Sequence, residues 1–172
     1  AADGVDPEVD ARTELVVEAA GGSLAGLSVV DLGCLEGGFA LEFARRGAVP
    51  VVGIEYRDVS VRRCELARDL MGVEASFIQG DITTAIPDGA RYDVVFAAGI
   101  LYHLDQPAEM LEVIRKACAG FLLLDTHVAD RDHVTHVCSP EAELPSRTGP
   151  PYKGRWFSEF APESTDAERG GM

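Results

Sequence analysis

The chain has 172 residues, 47% of them hydrophobic, and a mean hydropathy of +0.05, which is one domain's worth of chain with the balance of a water-soluble globular protein. Its formal charge of −14 creates an average field that repels polyanions, which argues against nucleic acid and anionic membrane surfaces as partners. No apolar run approaches the roughly 18 residues that cross a bilayer, and the acidic start AADGVDPEVD lacks the basic-then-apolar order of a secretory signal.

The chain does not begin with Met, which points to processing or to a longer parent chain. Only short basic strips interrupt the acidic character: Arg45 with Arg46, Arg62 with Arg63, and Lys153 to Arg155. The four cysteines, Cys34, Cys64, Cys118 and Cys138, are scattered without CxxC spacing. Thiols used in this way suit a reducing, cytoplasmic setting.

Residues 7–20 place Val9, Val16, Ala19 and Ala20 along one side and then meet Gly21 and Gly22, the pattern of a leading helix. Residues 27–32 read as a first strand. Residues 37–46 read as a helix with Phe39, Phe43 and Ala44 inward, ended by Gly47. Residues 49–54 are apolar throughout, as a strand covered on both faces should be. A helix over 59–71 stops at Gly72, a short strand follows over 75–79, and another unbroken apolar strand runs over 92–98. Asp105 is placed to cap a helix over 107–117 that buries Leu111 and Ile114, and residues 121–125 form a fifth strand. This alternation of apolar runs with helical segments is that of a parallel α/β sheet. Residues 1–125 thus form one α/β domain, with 1–22 as its leading helix. Residues 126–172 hold most of the prolines and no convincing strand, and read as a lid or as the incomplete end of the same domain.

Chemistry concentrates at the ends of the predicted strands. The first strand delivers Asp31, followed by Gly33 and Gly37 in the turn to a helix (VVDLGCLEGG, residues 29–38). Glycine serves where a backbone turns tightly and a ligand approaches it closely, and ligands of open α/β sheets sit at these carboxyl ends. The spacing is Asp-x-Gly-x-x-x-Gly, with Leu35 where a middle glycine is common; it does not match the Gly-x-Gly-x-x-Gly of dinucleotide binders. Glu55 closes the second strand, where a carboxylate accepts both hydroxyls of a ribose. Asp81 follows the third strand, able to accept an adenine amine, with Ile82 beside it for the ring. AAGILYHL (97–104) follows the fourth.

In order and spacing these features resemble the class I S-adenosylmethionine (SAM)-dependent methyltransferase family over residues 27–125, and GILYHLDQP with FLLLDTHVA resembles its small-molecule and tRNA wobble-uridine branch. The resemblance implies a three-layer Rossmann-like α/β fold with a mostly parallel sheet, and SAM as the cofactor. It implies that Asp31, Gly33 and Gly37 line the methionine part, Glu55 holds the ribose, and Asp81 and Ile82 meet the adenine. Cys34 and Tyr56 join these cofactor contacts, and Ala98 with Leu101 borders the transfer site. His103 is the candidate base for an acceptor whose proton has a high pKa, and Tyr102 a candidate for orienting that acceptor. The family's last two strands, the final one antiparallel, are not found here. The expectation is therefore that the native chain extends beyond Met172 or that a second chain covers the exposed sheet edge.

Each feature also has a plainer reading. Asp31 alone is a cap for the following turn, Glu55 alone a solvated strand end paired with Arg57, and Asp81 alone an Asx-turn residue. His103 is also a satisfied structural histidine, and Tyr102 also a packing residue. His127, His133, His136 and Cys138, with Asp130 and Asp132 between them, are metal-ligand types, but their spacing matches no zinc pattern, so no metal is expected. KGRWFSEF (153–160) is either a substrate-facing flap, with Arg155 and Trp156 on the acceptor, or an apolar anchor. The expected function is methyl transfer from SAM to oxygen or nitrogen of a small-molecule acceptor. The alternatives are a tRNA-modifying methyltransferase and a non-catalytic SAM-binding regulatory module.

Overall fold

A computed structural model describes residues 10–127, 142–144 and 150–154. The chain divides into two compact units, with the boundary between Thr126 and His127. In the first unit the order is α1 (Ala11–Ala19), β1 (Val29–Leu32), α2 (Gly38–Arg45), β2 (Val51–Glu55), α3 (Asp58–Met71), β3 (Ser76–Gln79), β4 (Tyr92–Ala98), α4 (Pro107–Ala117) and β5 (Cys118–Asp125).

Local chemistry sets these boundaries. The Asp10 carboxylate accepts the N–H of Arg12 and so satisfies one of the free donors at the start of α1. Gly72 ends α3 in a left-handed conformation, φ 64°, that a side chain resists. Pro107 opens α4, where its missing N–H costs nothing.

The five strands form one parallel sheet in the order β3-β2-β1-β4-β5. Successive residues of β1 and β4 point to opposite faces, and both faces are covered. On one face Val29, Val94 and Phe96 pack with Val16 of α1 and with Ala40 and Phe43 of α2. α3 packs on the same side, against α2, β2 and β3. On the other face Val30, Leu32, Val95 and Ala97 pack with Met110 and Ile114 of α4. The architecture is three-layer α/β, as the sequence predicts.

Several expectations need correction. Gln106, not Asp105, is the residue before α4, and its side chain makes no capping bond. The buried stripe of α4 is Met110, Ile114 and Ala117, at helical spacing, and Leu111 falls off it and is exposed. In α1 the buried residues are Thr13 and Val16, three apart, whereas Ala19 is exposed and Val9 lies outside the described residues. β5 starts at Cys118, directly from α4, three residues earlier than its apolar run suggests.

The second unit does contain strands. β6 (Ala142–Leu144) pairs antiparallel with β7 (Tyr152–Gly154). Strands of three residues are too short to show an alternation in sequence. Of the His/Cys constellation only His127 is described. Of the aromatic segment Lys153 is exposed in β7, and Arg155 to Phe160 lie outside the described residues. Among the described residues no helix is long and apolar enough to cross a membrane.

Candidate functional site

Strand order reverses between β1 and β4: the chain leaving β1 enters α2 on one face, and the chain leaving β4 goes on to α4 on the other. The two loops therefore part at the carboxyl ends and leave the crevice where open α/β sheets bind ligands. They also touch. A Cβ placed on Gly33 would stand 2.9 Å from Ile100 Cδ1, whose side chain would have to shift, and φ 72° at Gly33 is the backbone conformation that favours glycine. The N–H groups of Gly33 and Cys34 both donate to the Ile54 carbonyl, which pins the start of the loop to β2. Gly37, φ 80°, is the residue before α2.

Asp31 is 3% exposed, and its Oδ2 has no hydrogen-bond partner. Burial pushes its carboxyl up to about 7; a hydrogen bond from the Ala40 N–H opposes this, and the charge of nearby Glu55 adds to it. The capping reading is thus half right: Asp31 does hold the first turn of α2, through one oxygen only.

Glu55 is 4% exposed, so it is not a solvated strand end, although it does pair with Arg57. Its Oε1 accepts the Arg57 N–H and Nε–H, each at 2.9 Å, and its Oε2 accepts the Leu35 N–H at 3.1 Å. Leu35 takes φ 53°, a left-handed conformation, so it occupies the backbone role of the glycine it replaces. The Cys64 thiol, on α3, donates to the Leu35 carbonyl at 3.2 Å.

Asp81 makes an Asx turn, its Oδ1 accepting the N–H and hydroxyl of Thr83 at 2.8 and 2.7 Å. Ile82 is buried in the apolar cluster with Leu32 and Ile54. Tyr56 is exposed just past β2, and its carbonyl accepts Gln79 Nε2 across the ends of β2 and β3. Ala98 and Leu101 are half-buried at the end of β4 and in the turn after it, and Ala98 lies beside Asp125 in register. Tyr102 and His103 are exposed in that turn, Leu101–His103, with their rings 4.4 Å apart.

The candidate cofactor residues thus gather at the carboxyl ends of β1 to β4. Sequence reasoning missed three that shape the site. Ile100 bounds Gly33. Gly53 leaves room for Cys34, because a Cβ there would stand 2.7 Å from its sulfur. Cys64 reaches the loop from α3. Gly53 alone had a signal, a glycine inside an apolar strand marking close approach.

This arrangement is the strand-end crevice of a doubly wound α/β domain. Residues 23–159 match the methyltransferase-domain family, and the chain belongs to that family. It is similar to a ubiquinone biosynthesis O-methyltransferase of Methylobacterium sp. (strain 4-46), 32% identical over 97 residues, covering 56% of this chain and 37% of that protein. It is also similar to the tRNA U34 carboxymethyltransferase of Alcanivorax borkumensis, 34% identical over 121 residues, 66% of this chain and 36% of that one. The chain therefore spans little more than a third of the length of these curated relatives. In fold it resembles the N-terminal domain of EvdMO1, solved with S-adenosylhomocysteine (SAH) bound, at a TM-score of 0.62 and 24% identity, over 87% of this chain and 65% of that one.

Proposed function

We propose that this chain binds SAM at the carboxyl ends of β1, β2 and β3 and transfers its methyl group to an oxygen or nitrogen of a small-molecule acceptor. The observation that carries the reading is a pair of buried carboxylates, Asp31 and Glu55, flanking a loop that glycine holds open at Gly33 and Gly37. The residues suit the cofactor's parts. Asp31 Oδ2 is a buried acceptor without a donor, which the ammonium of the methionine part supplies. A carboxylate has about four lone-pair sites, and Glu55 uses three of them for the Leu35 N–H and both donors of Arg57, so Oε2 keeps one for a ribose hydroxyl. The second hydroxyl takes its place when the half-exposed Arg57 side chain swings out.

When bound, SAM supplies a sulfonium methyl that an acceptor atom takes by in-line displacement. The chain's task is then alignment. Ala98 and Leu101 border the acceptor, Tyr102 orients it, and His103 accepts its proton where that proton has a high pKa. Asp81 and Ile82 hold the adenine side, and Cys34 and Tyr56 complete the cofactor contacts. The outer strand β5 exposes Leu124, and a further strand or second chain pairing there would cover that edge.

A second reading, tRNA modification, draws on the likeness to the tRNA U34 carboxymethyltransferase, and the charge of −14 weighs against it. Calorimetry tests the cofactor. SAM and SAH should bind with micromolar dissociation constants and NAD should not; NAD binding alone would overturn the proposal. Turnover with labelled methyl over a metabolite panel then separates an enzyme from a SAM-binding module.

A further inference from the structure

The cofactor loop contains a problem that the chain has to solve. Leu35 sits at its crest with φ 53°, where its Cβ crowds the backbone. A residue in such a region persists only when its surroundings fix it. Its own side chain does not do so, because Leu35 is 57% exposed. What fixes it is a pair of bonds on its peptide groups: Glu55 Oε2 takes the N–H at 3.1 Å, and the Cys64 thiol donates to the carbonyl at 3.2 Å.

The Cys64 sulfur meets the loop at one further place, lying so close to Gly37 that a Cβ there would stand 3.1 Å away. Cys64 itself is fully buried on α3, 29 residues along the chain from Leu35. One sulfur therefore meets the loop at its crest and at its end. Burial pushes the Cys64 thiol up, so it remains a protonated donor rather than a thiolate.

We infer that Cys64 is a positioning residue for the cofactor, a clip from α3 that holds Leu35 left-handed so that its N–H stays on Glu55 and the arch from Gly33 to Gly37 stays open. Without the clip, Leu35 relaxes to an ordinary conformation, Glu55 loses a donor and turns, and the loop closes over the space beside Asp31. Glycine at 35 would need no clip, since glycine enters that conformation freely. This makes Leu35 and Cys64 a compensating pair.

The binding arm of the test rests on the SAM reading proposed above; the other arm does not. Amide hydrogen exchange at position 35 is measured in the ligand-free chain, and SAH affinity by calorimetry, for wild type, Cys64→Ala, Cys64→Ser, Leu35→Gly and the Leu35→Gly/Cys64→Ala pair, with thermal unfolding confirming that each folds. Cys64→Ala should speed exchange at Leu35 and weaken SAH about tenfold, which corresponds to about 1.4 kcal/mol. Cys64→Ser, which keeps a donor at that position, should stay within about threefold of wild type. In the Leu35→Gly background the alanine substitution should cost less than about threefold. Unchanged exchange at Leu35 in Cys64→Ala, or an equal loss of affinity in both backgrounds, overturns the inference; the latter would mark general damage to α3. If wild type fails to bind SAH while the exchange pattern holds, the cofactor reading falls and the clip stands.

Discussion

Asp31 is the residue whose chemistry reaches furthest. Its carboxyl ionises near 7 in the folded chain and at 3.8 without that environment. Between these values the folded state holds a proton that the unfolded state has lost, so stability falls as pH rises through the window and levels off above about 7. Asp31→Asn should therefore stabilise the chain at pH 8, by on the order of 2 kcal/mol once the altered bond to Ala40 is allowed for. At pH 5.5 the gain should be smaller. Urea unfolding of both proteins at the two pH values measures it, and an equal difference at both would mean that Asp31 is not protonated by burial. The same shift acts on ligand binding with the opposite consequence. A cation placed beside Oδ2 favours the carboxylate, so SAH affinity in wild type should rise with pH up to about 7 and then flatten. In Asp31→Asn that dependence should disappear.

At the scale of elements, α2 joins the site to the core. Its first turn is tied to Asp31, while Phe43 is fully buried with its ring 5.1 Å from that of Phe96 on β4. Phe43→Ala should cost about 3–5 kcal/mol. Denaturant unfolding gives that cost, and a value below about 1 kcal/mol would show that the core collapses into the vacated space. Elements of this kind are legible in sequence because their signals are local. β2 and β4 are apolar throughout because helices cover both faces of the sheet. α3 ends at Gly72 because the backbone there is left-handed. Asp31 and Glu55 stand out because a strand delivers each one to the carboxyl edge. What sequence does not show is decided across the chain. Nothing local says that Leu35 takes φ 53°, that Glu55 holds its N–H from 20 residues away, or that Cys64 reaches its carbonyl. β6 and β7 are missed for a different reason, since three residues hold too little pattern to read.

For the molecule as a whole, the charge of −14 bears on which acceptor the site meets. Polyanion binding needs cations that are free to face phosphate, and in the first unit many arginines already have carboxylate partners. Arg12 bonds Asp10 and Asp125, Arg46 bonds Glu14 and Glu42, and Arg62 and Arg63 bond Asp58 and Glu36. Exposed pairs of this kind add little stability, mostly below about 1 kcal/mol each. Their effect on partners is larger, because each cancels a positive charge that would otherwise release counterions from a nucleic acid. These paired arginines thus soften the acidic field without offering free cations to a phosphate backbone. Fluorescence anisotropy with labelled tRNA should accordingly show no saturable binding at micromolar protein and physiological salt, with or without SAH. Lowering the salt should not rescue it, since weaker screening strengthens the repulsion of like charges. Saturable tRNA binding that weakens steeply with salt would reverse this argument and favour the tRNA reading.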